Sequence, residues 1–325
     1  MRRGARRWSP LQCLAVSSTS VWGVRVGISR EVRIGLTCAF SVLFIWAGFI
    51  LVSRFSAKGL LTPWDMAALR YSGAFVAALP IAARHGWPRL PAREAAAIVA
   101  TAALGFPLFA FAGFQFAPAS HGGVMLPGML PLQVAVLLWL VLGERWTRAR
   151  IAALALVIAG VALLARDTLG AHPGAWRGDV LLFAGSFCWA VYTLLVQRWR
   201  ISALTATLAI ALYTAPVYVP VWLLMLPSRI SAAPLGEVGF QLVYQGALAV
   251  VLAGFLFTRA LVALGPMALT AITAVVPALS ALAAWPLLGE PLGGEGLAGV
   301  ALVTAAMLLG VVQARGAPER AGGQR

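Results

Sequence analysis

One arginine stands about six residues inside an apolar stretch running from roughly residue 65 to 83. Arg70 is permanently charged at neutral pH, and a charge inside lipid is costly unless protein, water or a partner meets it. The chemistry it points to is contact with an anion or another polar part of a substrate. The competing role is a structural pair, or a side chain that snorkels to the outer interface. Asp65 lies five residues earlier, ~140° round a helix, which takes it off the face of Arg70. Neutral amides come next. Gln115, Gln133, Gln241 and Gln245 lie in or near apolar runs, with Gln133 and Gln245 deepest. Buried amides need partners, so they either bond between helices or read a polar ligand. Gln241 and Gln245 share one helix face at i, i+4. Trp46, Trp189 and Tyr192 offer flat apolar surfaces for stacking, or packing and interface anchorage.

Other polar groups point less to chemistry. Glu144 and Glu290 follow Leu-Gly at the ends of apolar runs. Their expected role is to cap the next helix, whose N-terminus favours an acid, rather than to relay protons from mid-span. His121, after Ser120, is expected to bond at a helix end, although a histidine can titrate near neutral pH. Cys38 and Cys188 sit inside apolar runs as small packing residues, with Cys13 in the N-terminal arm. Three histidines and scattered acids form no nucleophile–base set and no H-E-x-x-H metal pattern. No metal or cofactor site is expected, and an enzyme is not the reading. The absence of a P-loop pattern argues against direct ATP drive.

The elements that must hold these residues are membrane helices. The 325-residue chain is 61% hydrophobic and 11% charged, where a soluble domain carries roughly a quarter charged residues. A water-soluble globule of this composition would expose large apolar patches. Ten runs approach the ~20 residues that cross a bilayer core, at roughly 34–53, 65–83, 95–117, 119–142, 149–166, 179–197, 202–226, 239–262, 266–288 and 294–313. Continuous runs, rather than short alternating ones, predict helices and not a barrel. The net charge of +15 is almost all arginine, with Lys58 the single lysine. These arginines punctuate the loops instead of forming one basic face, which excludes nucleic acid as a partner. Their bias sets both termini in the cytoplasm and the chain as multi-pass, in a cell membrane of the bacterial inner-membrane kind. Residues 1–33 read as a disordered cytoplasmic arm, or as sequence upstream of the true start, and 314–325 as a cytoplasmic tail.

The chain repeats itself. Leu142-Gly143-Glu144 has Pro131 thirteen residues before its glutamate, and Leu288-Gly289-Glu290 has Pro277 at the same distance. Ala117-Pro118 matches Gly265-Pro266, and Trp46 matches Trp189. The halves, 34–166 and 178–313, hold five spans each. An odd number forces opposite insertion, the mark of secondary transporters whose site lies between the repeats. Pro127, Pro131, Pro277 and Pro286 fall inside spans four and nine, where proline bends a helix; Pro131 and Pro277 are the gating or hinge candidates. Ala155, Ala159 and Ala162 suggest close packing of span five.

With Pro63 and Arg70 opening span two, Ala119-Ser120 opening span four, Gly178-Asp179 opening the second half, and Tyr192 after Trp189, the chain resembles the drug/metabolite transporter superfamily, specifically its EamA family. Arg54 departs from the pattern, since lysine is common there. The resemblance implies an all-α integral membrane protein of about ten transmembrane helices in two inverted five-helix repeats. It further implies export or exchange of a metabolite or drug-like solute. Alternating access round a largely apolar cavity suits small neutral or amphiphilic solutes. The alternatives are a lipid-linked or nucleotide-sugar carrier, for which only Arg70 offers cationic charge, and a non-transporting membrane protein. The partners expected are a small-molecule substrate and the lipid bilayer; substrate, coupling ion and oligomeric state are not legible.

Overall fold

A computed structural model describes residues 29–143, 147–168 and 172–316. Among these residues every regular element is a helix. We number the spans α1 Arg30–Ala57 and α2 Pro63–His85, α3 Ala92–Gly113 and α4 Ala119–Val141, α5 Arg148–Thr168, α6 Ala175–Arg198, α7 Ala203–Met225, α8 235–264, α9 266–288 and α10 Gly294–Gly316. Each is apolar enough to leave its outer surface to lipid while its own backbone bonds stay satisfied.

Local residues set the boundaries. Ser29 caps α1 through the Val32 N–H, so the helix starts four residues before the expected start of the first span. Thr62 and Asp65 form a reciprocal capping box on α2, with Pro63 in its first turn. Helix runs from 235 to 273 but for Gly265, whose φ of 79° and ψ of 164° end α8. Only glycine takes that conformation cheaply, and Pro266 then starts α9. The ninth and fourth spans are each broken at mid-length. In α4 a π-helical turn Val124–Gly128 holds Pro127, and Met129 joins it to Leu130–Leu142. In α9 a turn at 274–275 precedes Val276–Leu288.

The repeats interlock rather than sit side by side. α1 packs on α8 and α9, while its counterpart α6 packs on α3 and α4. α2 lies between α7 and α8, and α5 and α10 pair with each other. Glycines permit the closest crossings. A Cβ on Gly73 of α2 would strike the Leu242 carbonyl of α8, and one on Gly246 would strike the Gly73 and Ala74 main chain. At α5–α10 the same is true of Gly160 and Gly299. The small residues expected to pack α5 are not the ones that do so: Ala155, Ala159 and Ala162 are exposed, and the buried stripe is Val157, Gly160 and Leu164. That stripe follows the 3, 4 spacing of the face turned to α10.

Candidate functional site

The centre of the molecule is built round two adjacent residues of α2. α3 and α8, equivalent helices of the two halves, each contain a π-helical stretch, Val99–Gly105 and Leu242–Leu252. Such stretches disturb the regular bonding ladder and recur at functional positions. α2 serves both. The Tyr71 hydroxyl donates to the Ala103 carbonyl of α3 at 2.5 Å, and Arg70 Nη1 donates to the Gln245 carbonyl of α8 at 3.2 Å. Nη1 also lies 3.5 Å from Gln245 Oε1, and Gln245 Nε2 donates to Ser53 Oγ of α1 at 3.2 Å. The Arg70 guanidinium stands over the Phe49 ring, 5.3 Å from its centroid, a cation–π contact. Arg70 therefore turns into the protein, with Gln245 and not Asp65 as its partner.

From Phe49 a run of rings crosses between the repeats. Phe49 stacks on Phe106 at 5.8 Å, Phe106 meets Trp189 at 5.0 Å, and Trp189 meets Tyr192 at 4.9 Å. Arg70, Gln245, Trp189 and Tyr192 thus belong to one connected group drawn from α1, α2, α3, α6 and α8. Phe49 and Phe106, which complete it, carried no sequence signal beyond being aromatic in apolar runs. Trp46 stands apart. It stacks on Phe257 of α8 at 5.5 Å, and so repeats in the first half the Trp189–Phe106 pairing of the second.

Gln133 is buried and donates to the Phe183 carbonyl of α6 at 3.1 Å, while its Oε1 has no partner. It ties α4 to α6. Gln241, one turn from Gln245, is fully buried with neither amide atom hydrogen-bonded. Pro131 and Pro277 each lie in the first turn after the mid-span break, on α4 and α9. Pro277 packs on α4, where a Cβ at Gly123 would touch it.

The end of the bundle where α1 finishes is tied by three polar clusters. Glu290, 6% exposed, accepts from Arg54 Nε at 2.7 Å, Lys58 Nζ at 2.8 Å and the Ala119 N–H at 2.9 Å. Arg54 Nη1 also donates to the Phe114 carbonyl. Burial raises the Glu290 pKa, but bonds from Lys58, Ala119 and Arg54, with the charge of Arg54, outweigh it and hold the carboxyl below the usual range. Glu290 does cap a helix, yet the helix is α4 of the opposite repeat and not the following α10, because the interlock brings the start of α4 under the end of α9. Glu144, its counterpart in sequence, lies outside the described residues. His121 likewise bonds side chains rather than a helix end: its Nδ1 meets Asp179 Oδ1 at 2.7 Å and its Nε2 meets Thr168 Oγ1 at 3.0 Å. Asp65 collects Trp222 Nε1, Ser228 Oγ and the Arg229 N–H, joining α2 to the end of α7. At the opposite end, a groove of about 410 Å³ lies between the α2–α3 turn and the start of α7; none of the central group lines it. Among the described residues no group of histidine, cysteine and acid side chains is placed to hold a metal ion.

Residues 33–166 and 176–312 each match the sequence model of the EamA-like transporter family. The chain belongs to that family. The two matched stretches coincide with the two interlocked five-helix units, so the EamA repeat is the structural unit as well as the sequence one. No curated protein matches the chain. A solved crystal structure aligns over 88% of this EamA-like chain and 97% of its own length, with a TM-score of 0.61 and 21% identity. At that identity the likeness is one of fold.

Proposed function

We propose that this EamA-like protein is a secondary transporter that moves a small metabolite or drug-like solute across a cell membrane by alternating access. The observation that carries this reading is the central group: a buried cation, an amide and a run of rings contributed by both inverted repeats, inside the spans. A solute held there touches both halves, so a tilt of one against the other changes the side from which it is reached. The breaks before Pro131 and Pro277 supply equivalent hinges on α4 and α9. The Glu290, His121 and Asp65 clusters hold one end shut. The arginine bias of the loops puts that end outside and both termini in the cytoplasm, with the membrane of bacterial inner-membrane type. One central guanidinium suits a lightly charged solute better than a sugar diphosphate.

The test is uptake and counterflow in proteoliposomes against amino acids, purines, polyamines, organic acids and lipophilic cations. Saturable exchange of one class, present with the wild-type chain and reduced at least tenfold in Arg70→Gln or Trp189→Ala, is the expected result. No exchange of any class across the panel overturns the transport reading.

A further inference from the structure

The charge balance of the central group is incomplete, and what would complete it defines a ligand. The acids among the described residues all stand at helix ends. Asp65, Asp179 and Glu290 hold the clusters above. Glu31 pairs with Arg259 at 2.7 Å and Glu295 with Arg166 at 3.4 Å. Asp167 accepts from the Gly293 N–H and Glu237 from Ser56, and Glu94 lies in the first turn of α3. None reaches Arg70. Its guanidinium offers N–H donors on three nitrogens, of which, among the described residues, only Nη1 meets an acceptor. The residue is buried, with 7% of its surface accessible. One of its faces is taken by Phe49, and a planar fork beside an aromatic face is suited to a carboxylate held edge-on. The fully buried, wholly unpartnered amide of Gln241, one turn along α8 from Gln245, is a second unmet polar group on the helix that meets Arg70.

The rest of the group specifies the other part of the ligand. Phe49, Phe106, Trp189 and Tyr192 continue from the cation as a run of rings in contact, stacked or tilted on one another, with no second cation and no acid among them. A solute with two negative charges would leave one unpaired in the membrane interior, and an ammonium group would find no acid among these residues to pair with. We infer that the cargo is a monocarboxylate carried on a flat apolar ring: its carboxylate neutralises Arg70, and its ring lies along the Phe49–Phe106–Trp189–Tyr192 run. This rests on the transport reading and narrows it to one substrate class.

The experiment compares probes of one shape and three charges at pH 7. Indole-3-acetate, indole-3-acetamide and tryptamine, with phenylacetate, phenylacetamide and phenethylamine as the smaller set, are titrated by calorimetry into the full chain in detergent. Octanoate supplies the same charge on an alkyl chain. Each anion is expected to bind at least tenfold more tightly than its amide, with the amine weakest, and octanoate at least tenfold more weakly than the ring carboxylates. Arg70→Gln should bring anion and amide to equal affinity. Arg70→Lys, which keeps the charge and so protects against loss of folding, should retain part of the preference. Amide or amine binding as tightly as the anion overturns the carboxylate assignment, and octanoate matching the ring carboxylates overturns the ring. No binding of any ring probe overturns the class. Each of these leaves the transport reading to stand or fall on counterflow with the wider panel.

Discussion

Replacing Glu290 with glutamine keeps its shape and removes its charge. The side chains of Glu290 and Arg54 are 5% and 9% exposed, that of Lys58 41%. Removing one partner of a buried pair costs ~3–5 kcal/mol, whereas the more exposed Lys58 contributes only ~0–1 kcal/mol. Glutamine retains one acceptor oxygen but sets an NH2 against either Ala119 N–H or the two cations. The expected loss is therefore at the low end, ~3 kcal/mol, which at ~2–4 °C per kcal/mol lowers Tm by about 6 °C or more. Intrinsic tryptophan fluorescence during heating of the full chain in detergent reads it. The sign with pH follows from the carboxyl being held below its ordinary range. Its stabilisation is complete at neutral pH and is lost as pH falls through the folded-state value, so the gap between wild type and Glu290→Gln should close in acid. A cycle with Arg54→Gln should show coupling of at least ~1.5 kcal/mol. A Tm change under 1 °C at pH 7, or a gap that widens as pH falls, would refute the assignment of Glu290 as the tie between the repeats.

Gly73→Ala or Gly246→Ala forces α2 from α8 at a main-chain contact; a loss of ~1–3 kcal/mol should appear as reduced monodisperse yield and lower Tm, and an unchanged profile would place the crossing wrongly. Asp65→Ala removes the α2 capping box and the bonds from Trp222, Ser228 and Arg229, for which ~3 kcal/mol is expected; a change below 1 kcal/mol would deny the cluster its joining role. Pro131→Ala and Pro277→Ala should leave Tm within about 2 °C and slow counterflow severalfold, more so together, if the mid-span breaks are hinges. Unaltered counterflow in the double variant would make the breaks static bends.

The ten spans were legible because each crossing needs its own apolar run, and some ends because Pro63, Gly265 and Pro266 act on their neighbours. Arg70 was legible as a charge out of place. Its partner was not, since Gln245 lies 175 residues away and offers a main-chain carbonyl that no side-chain pattern reveals. Glu290 is the same case at 236 residues from Arg54: local reasoning assigned it to the helix beside it in sequence. Gln241 and Gln245, paired by their spacing, are both buried, yet only Gln245 has bonding partners, since Ser53 and Arg70 approach it and not Gln241. The alanines of α5 misled because small residues also suit a lipid-facing surface. Gly160 mattered more, and a single glycine gives no stripe to read.

The interlock of the repeats bears on how the chain is made. α1 and α2 leave the ribosome well before α8, against which both pack. Arg70 and its acceptor at Gln245 are separated by 175 residues, so at ~5–20 residues per second the guanidinium waits ~10–35 s for the carbonyl that receives it. Through that interval α2, and the helices made after it, stand with an unmet cation and a bare glycine face at Gly73. The newborn first repeat is thus a client for whatever insertion machinery shelters polar helices, and nascent chains stalled before residue 245 should be the ones that quality control removes.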